Sequence, residues 1–381
     1  MKRIIAGICR TLLGVVFVFS GVVKAIDPLG TVYKIEDYLK AFGGFFTDLL
    51  PLAEAAAWGL IVLELLLGVC MLLNVRTRWT SWLALAFYAV MTPLTLYIAI
   101  NNPVSDCGCF GDAIVLTNWQ TFGKNVLLLT CAIVVCVWYR LQTRLISEHA
   151  QWLVSLYNWL YAFVLTLYCV YTLPVMDFRP YHIGADIHAN MQWDETENIP
   201  PITDLVISNP VTGEDMTDSI ISGQGWKFLI VAPRLDDADD GVMDKLAELT
   251  EYCSDNNYPL VALTASSDSL IEYWQDITGA EYTFLVADEI PLKTMVRSNP
   301  GLILLNGSVV ANKWASSQIP GQDELVAPLD EMSWVQKPRH TYVQRFFILL
   351  SWYIIPLLVF TILDKIWLGI KAFRQRNKQD I

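Results

Sequence analysis

The sequence predicts a polytopic α-helical membrane protein that carries a water-exposed α/β domain. Three observations lead there. Of 381 residues, 54% are hydrophobic and only 17% are charged, against roughly 25% charged in ordinary globular domains. Six apolar runs, at 4–25, 52–73, 79–100, 121–139, 152–173 and 346–370, approach the roughly 20 residues a helix needs to cross a bilayer. The charge is also divided: residues 176–340 hold 27 acidic and 9 basic side chains, the remainder 11 acidic and 17 basic. An acidic globule is thus joined to a basic, apolar scaffold. A wholly soluble enzyme, a disordered chain and a collagen-like chain are excluded.

The connections give an orientation, because short Lys/Arg-rich loops tend to stay cytoplasmic. Lys2, Arg3 and Arg10 precede or open the first run. Arg76 and Arg78 follow two crossings, Arg140 and Arg144 follow four, and Lys371, Arg374, Arg376 and Lys378 follow six. All fall on one side. The expectation is a multi-pass protein of the bacterial inner membrane, with both termini cytoplasmic and residues 176–340 periplasmic. Its parts are a four-helix membrane domain at 1–140, a fifth span within 141–175, the acidic domain at 176–340, and a sixth span with a basic tail at 341–381. A cleaved signal peptide competes for the first run, but that run is long and lacks an A-x-A-like exit.

Glu64 stands in the middle of the second run, where a carboxylate costs roughly 2–4 kcal/mol unless it is paired, protonated or facing water. Lys24 sits near the outer end of the first run, four residues after Ser20. One expectation is a Lys24–Glu64 contact lining a cavity for a small redox-active ligand. The other is a structural pair fixing helix register, with Lys24 snorkelling. Gly14, Gly21 and Gly68 suit close helix approach under both.

Of eight cysteines, most suit apolar packing. The exception is Asp106-Cys107-Gly108-Cys109-Phe110-Gly111-Asp112, in the loop before the fourth span. A disulfide closed over one intervening glycine would be strained and readily reduced, which is exchange chemistry rather than a staple. Three other readings stand beside it. These are a soft-metal site with Asp106 or Asp112, which lacks the four ligands a structural zinc needs, a disulfide to Cys169 or Cys253, and inert thiols. No metal ligand set is assigned.

From residue 226 onward strands alternate with helical stretches. Strands are expected at 227–232, 259–264 and 282–286, with helical spacing of Val242, Leu246, Leu249 and Cys253 and a second helix over 267–278. Asn306-Gly307 is a two-residue hairpin signal between strands at 301–305 and 309–314, and 177–225 reads as short strands and linker. With Ser298-Asn299-Pro300-Gly301 before the hairpin, this order resembles the thioredoxin fold. The resemblance makes Pro300 the cis-proline candidate. It also puts the family's Cys-x-x-Cys where this chain has 233–240, a stretch without cysteine. The domain resembles a thioredoxin-like module lacking its dithiol, whose acidic surface suits a polar or basic partner.

Phe19-Ser20-Gly21-x-x-Lys24-x-x-Asp27-Pro28, Glu64-x-x-x-Gly68 and Cys107-Gly108-Cys109-Phe110-Gly111-Asp112 together resemble the DoxX-like membrane family. They are most similar to its branch around the methylamine-utilisation protein MauE. The resemblance spans about the first 140 residues. It implies a four-helix membrane domain in envelope redox chemistry, with Cys107 and Cys109 as the site. The function expected is thiol–disulfide exchange with, or maturation of, periplasmic client proteins. Electrons would pass to an acceptor, a membrane quinone being the cofactor considered, near Lys24 and Glu64. The alternative is a non-enzymatic scaffold or accessory subunit of an envelope complex, and a transporter is a distant third. No phosphate-cradling glycine loop, H-E-x-x-H or nucleophile elbow occurs, and the acidic domain disfavours nucleic acid.

Overall fold

The computed structural model describes residues 1–104, 107–142, 146–193, 200–332, 335 and 342–379. Asp106 and Arg144, used above, lie outside them. The chain forms two compact units, Met1–Cys169 with Phe346–Ile381, and Val170–Arg345.

In the first unit, helices α1 (Lys2–Ile26), α3 (Ala53–Leu73), α4 (Thr77–Asn101) and α5 (Asn118–Val137) share one core of Leu13, Phe17, Leu67, Met71, Tyr88, Leu128 and Ala132. Helices α6 (Gln151–Tyr171) and α12 (Tyr342–Gln379) complete the set. Six helices are long and apolar enough to cross a membrane among the described residues. The chain is a multi-pass membrane protein.

Packing of α1 on α3 depends on missing side chains. A Cβ on Gly68 would lie 2.6 Å from the backbone nitrogen of Val18, and one on Gly21 would lie 2.8 Å from that of Leu65. Only glycine lets the two backbones meet so closely. This close approach sets α1 against α3 in the stretch that carries Lys24 and Glu64.

Helix α2 (Pro28–Phe42) is absent from the sequence-based expectation. It starts with Pro28 in its first turn and with the Asp27 side chain accepting from Gly30 N at 3.0 Å, a standard N-terminal signal. Val32, Ile35 and Leu39 fall on one face and pack against Ala53 and Ala57. Its other face carries Lys34, Glu36, Asp37 and Lys40, so no long apolar run marks it.

α6 and α12 are joined by tyrosines. Pro356 has no N–H, which leaves the Trp352 carbonyl without its helical donor, and Tyr157 Oη donates to that carbonyl at 2.6 Å. Tyr161 donates to Leu349 O at 2.9 Å, Tyr353 donates to Asn158 Oδ1, and Ser147 N donates to Asp364 at 2.9 Å. Tyr157→Phe is expected to loosen the α12 dock by about 0.6–1.7 kcal/mol, the range for interhelical hydrogen bonds in membranes. A detergent unfolding titration with an α12 reporter measures this. An unchanged midpoint would show the carbonyl to be satisfied without Tyr157.

The second unit is built on a six-stranded mixed sheet of order β1-β4-β3-β2-β5-β6. The strands are β1 (Ile207–Ser208), β2 (Trp226–Ala232), β3 (Leu260–Thr264), β4 (Thr283–Ala287), β5 (Gly301–Asn306) and β6 (Val309–Ala315). β2, β3 and β4 run parallel, while β5, β6 and β1 are antiparallel to their neighbours. Both faces are covered, which explains the unbroken apolar run from Phe228 to Ala232 in β2. Phe228 and Ile230 join the core under α9 (Met243–Asp255) and α10 (Asp268–Thr278), and Leu229 and Val231 the core with α11 (Glu289–Met295).

The hairpin turn sits one residue later than expected. Asn306 pairs with Val309, so the two turn residues are Gly307, at φ 62°, and Ser308. Among its described residues the stretch 177–225 holds short helices α7 (Ile187–Met191) and α8 (Thr217–Ile221) around β1 rather than several strands.

Candidate functional site

Four residues singled out in the sequence converge in the first unit. Lys24 Nζ donates to Glu64 Oε2 at 2.9 Å, to Ser20 Oγ at 2.6 Å and to the Cys109 carbonyl at 2.7 Å. That accounts for all three ammonium protons. Ser20 Oγ donates to the same carbonyl at 2.7 Å. Lys24 and Glu64 are buried, with only 6% and 4% of their surface exposed. Burying two charges is costly unless the geometry is good and every polar atom is used, and here the pair also ties down the cysteine loop.

The loop is held from its other side by α2. Tyr38 Oη donates to the Cys107 carbonyl at 2.6 Å. Gly108 has φ +63°, and a Cβ there would lie 2.6 Å from the Lys34 side chain, so glycine is needed for both backbone and space. Phe110 packs edge-on against Phe19 with centroids 5.3 Å apart, and Lys124 Nζ stands 4.2 Å from the Phe110 ring centroid.

Cys107 Sγ and Cys109 Sγ are 2.9 Å apart, and both are free thiols. The two sulfurs are unequal. The Cys109 thiol is held below the ordinary thiol range, first because Cys107 hydrogen-bonds to it and then, against the effect of burial, because Lys124 and Lys24 lie near. The hydrogen bond to Cys109 and burial push the Cys107 thiol up. A lowered thiol in an electropositive, half-buried place is the mark of a reactive cysteine. Cys169 and Cys253 are also buried, and neither is in a disulfide. Burial pushes the Cys253 thiol, in the α9 core, up to about 12, which makes it inert.

The side chains enclose a cavity of about 80 Å³ between the cysteine loop, α1, α2, α3, α4 and α5. Lys24, Glu64, Tyr88, Asn125 and both cysteines line it among apolar walls such as Phe17 and Leu94. Where one water needs about 10–15 Å³, this is room for a small polar head group. With Lys24 fully engaged, the Lys124 ammonium and the Asn125 amide in apolar walls suit a carbonyl oxygen. Among the described residues, no three of His, Cys, Asp and Glu gather as a metal set.

Residues 2–138 match the family model of the methylamine utilisation protein MauE. The MauE match takes in α1 to α5 and with them Lys24, Glu64, Cys107 and Cys109, and stops before α6. No curated protein and no solved structure matches the chain.

Pro300 belongs to the second unit, where the Asn299–Pro300 peptide is cis. Asn299 Nδ2 donates to Arg234 O at 2.7 Å, and Asp239 N donates to Asn299 O at 2.9 Å. The residue thus adjoins the cysteine-free segment 233–240. Tyr38, Lys124 and Asn125 went unmarked in the sequence. Lys124 carried a usable signal, because it is a cation inside the run 121–139, as Glu64 is an anion inside the second run.

Proposed function

We propose that the protein is a thiol–disulfide exchange protein of the bacterial inner membrane that oxidises periplasmic clients through Cys107 and Cys109. The observation that carries this reading is the pair of unequal sulfurs 2.9 Å apart, one lowered beside Lys124 and Lys24, at the wall of a largely apolar cavity. In this reading both termini are cytoplasmic and residues 176–340 are periplasmic. The first unit's DoxX-like kinship and the second unit's thioredoxin-like character belong to the same proposal. Three parallel strands followed by an antiparallel hairpin support the latter.

The exchange starts from the Cys107–Cys109 disulfide. A client thiolate attacks Cys107, and Cys109 departs, because the sulfur with the lower pKa is the better leaving group. The second client thiolate then attacks the client sulfur of the mixed disulfide and releases Cys107. The client loses two electrons and two protons, and the site becomes the dithiol. Cys107 is buried under α2, so client access requires that helix to yield. Lys24 and Ser20 hold the Cys109 carbonyl throughout, and Lys124 balances the thiolate. A lipid quinone, when bound, supplies the two-electron acceptor that returns the dithiol to the disulfide.

Alkylation tests this. In membranes held at a series of pH values, iodoacetamide is expected to modify Cys109 faster as pH rises, half-maximally well below the ordinary thiol range. Lys124→Gln should move that midpoint upward. Trapping in cells should find part of the pair oxidised, with client oxidation lost in Cys107→Ser and Cys109→Ser. Both cysteines fully reduced, with client oxidation unchanged in the two variants, would overturn the proposal.

One observation favours a second reading. Cys253 is the only cysteine in 170–345 and is buried, so the acidic domain supplies no exchange chemistry of its own and suits a docking role. A scaffold predicts that removing 176–340 abolishes partner retention while both serine variants are silent.

A further inference from the structure

At the end of the helices opposite the cysteine loop lies a second, larger cavity, of about 480 Å³. Arg76, Arg78 and Arg140 line it, together with Trp79, Tyr139 and Gln151. It is formed where α4 and α6 begin and α5 ends. We propose that this cavity binds the phosphate of an anionic phospholipid.

Four observations support this. Three guanidiniums face one opening with a single carboxylate, that of Glu148, among the lining residues. Guanidinium forks match phosphate oxygens in pairs. The N-terminus of α4 has no side-chain cap, since Arg76 occupies the cap position at φ 43° and its own N–H is taken by Gln151 Oε1 at 2.9 Å. An uncapped 25-residue helix presents first-turn N–H groups and the positive end of its dipole to an anion. Among the described residues the Gln142 Oε1 atom, in the same lining, has no hydrogen-bond partner. Arg140 Nε donates to Tyr139 Oη at 2.9 Å, so one guanidinium is already oriented on the rim.

The outer side of the opening separates a lipid from free phosphate. Trp79, Trp82 and Leu83 follow one another at helical spacing on α4 and are 71%, 56% and 50% exposed, and Val137 at the end of α5 is 67% exposed. An apolar stripe running from a guanidinium cluster along a spanning helix matches a head group with its acyl chains.

Native mass spectrometry of the full chain tests the site. The chain would be released from vesicles of phosphatidylglycerol and phosphatidylcholine in equal parts, with and without excess inorganic phosphate. Selective retention of phosphatidylglycerol is expected. Arg78→Gln with Arg140→Gln, both exposed side chains, should reduce retention at least about tenfold. Lys2→Gln with Arg3→Gln removes the same charge elsewhere and should not. Equal retention in both double variants would overturn the site. Displacement of the lipid by inorganic phosphate would overturn the lipid as occupant. A melting curve in detergent distinguishes loss of binding from loss of folding, and Arg140→Gln alone, removing one exposed rim charge, repeats the test if the double variant unfolds.

Discussion

Lys24→Met is expected to cost about 3–5 kcal/mol of stability, because it leaves Glu64 buried without its cation. Glu64→Leu should cost a similar amount for the opposite reason, since an ammonium then loses its carboxylate at 4% exposure. The two together should recover most of the loss. Replacing a whole buried ion pair by apolar side chains of like volume is often neutral, so the cycle should give a coupling of the order of the single losses. Reversible unfolding in mixed detergent micelles measures all three. The double variant has a further value: it folds without the pair, yet only Ser20 then donates to the Cys109 carbonyl. Cys109 alkylation in that variant should keep its low-pH midpoint, because the Cys107 hydrogen bond and Lys124 remain and the charges of Lys24 and Glu64 act on the thiol in opposite directions. Single variants as stable as the parent would show that the pair contributes nothing to the fold.

Gly68→Ala should destabilise the helical unit by about 1–3 kcal/mol, the usual cost of overpacking, and Gly68→Val by more. The added carbon meets the backbone nitrogen of Val18 at 2.6 Å, and a backbone cannot rotate away as a side chain does. α1 and α3 must separate, drawing Lys24 away from Glu64 and the cysteine loop. Gly59→Ala is the contrast. It lies in the same helix with nothing within 4 Å of the added carbon, and alanine favours a helix interior over glycine by about 0.5–1 kcal/mol. Thermal midpoints of the three variants should therefore diverge in sign. If Gly68→Ala behaved like Gly59→Ala, the close contact between α1 and α3 would be refuted.

What the sequence made legible follows from where physics leaves few choices. Twenty apolar residues have one economical solution in a bilayer, so the spans could be read off directly. Glu64 stood out because a carboxylate there demands a partner, and Lys24 was the nearest cation of suitable depth. Cys107 and Cys109 were found by their spacing. α2 was missed because its apolar face is three residues wide, and its stability comes from Ala53 and Ala57, which only the folded chain brings near. Tyr38 was missed for the same reason, being 69 positions from the carbonyl it serves. In the second unit the alternation of strands and helices was readable. The one-residue displacement of the hairpin was not, because Asn306 suits a turn and a strand end alike.

The cysteine loop is moored by its peptide oxygens. Tyr38 grips the carbonyl of Cys107, and Lys24 and Ser20 grip that of Cys109, so the anchorage rests mainly on backbone oxygens, although Tyr38 also hydrogen-bonds the Cys107 thiol. Electrons can come and go at the sulfurs without slackening these ropes, and a serine or alanine in place of either thiol inherits the same berth. A silent phenotype in such a variant would speak about chemistry, because the shape of the loop is secured by other hands.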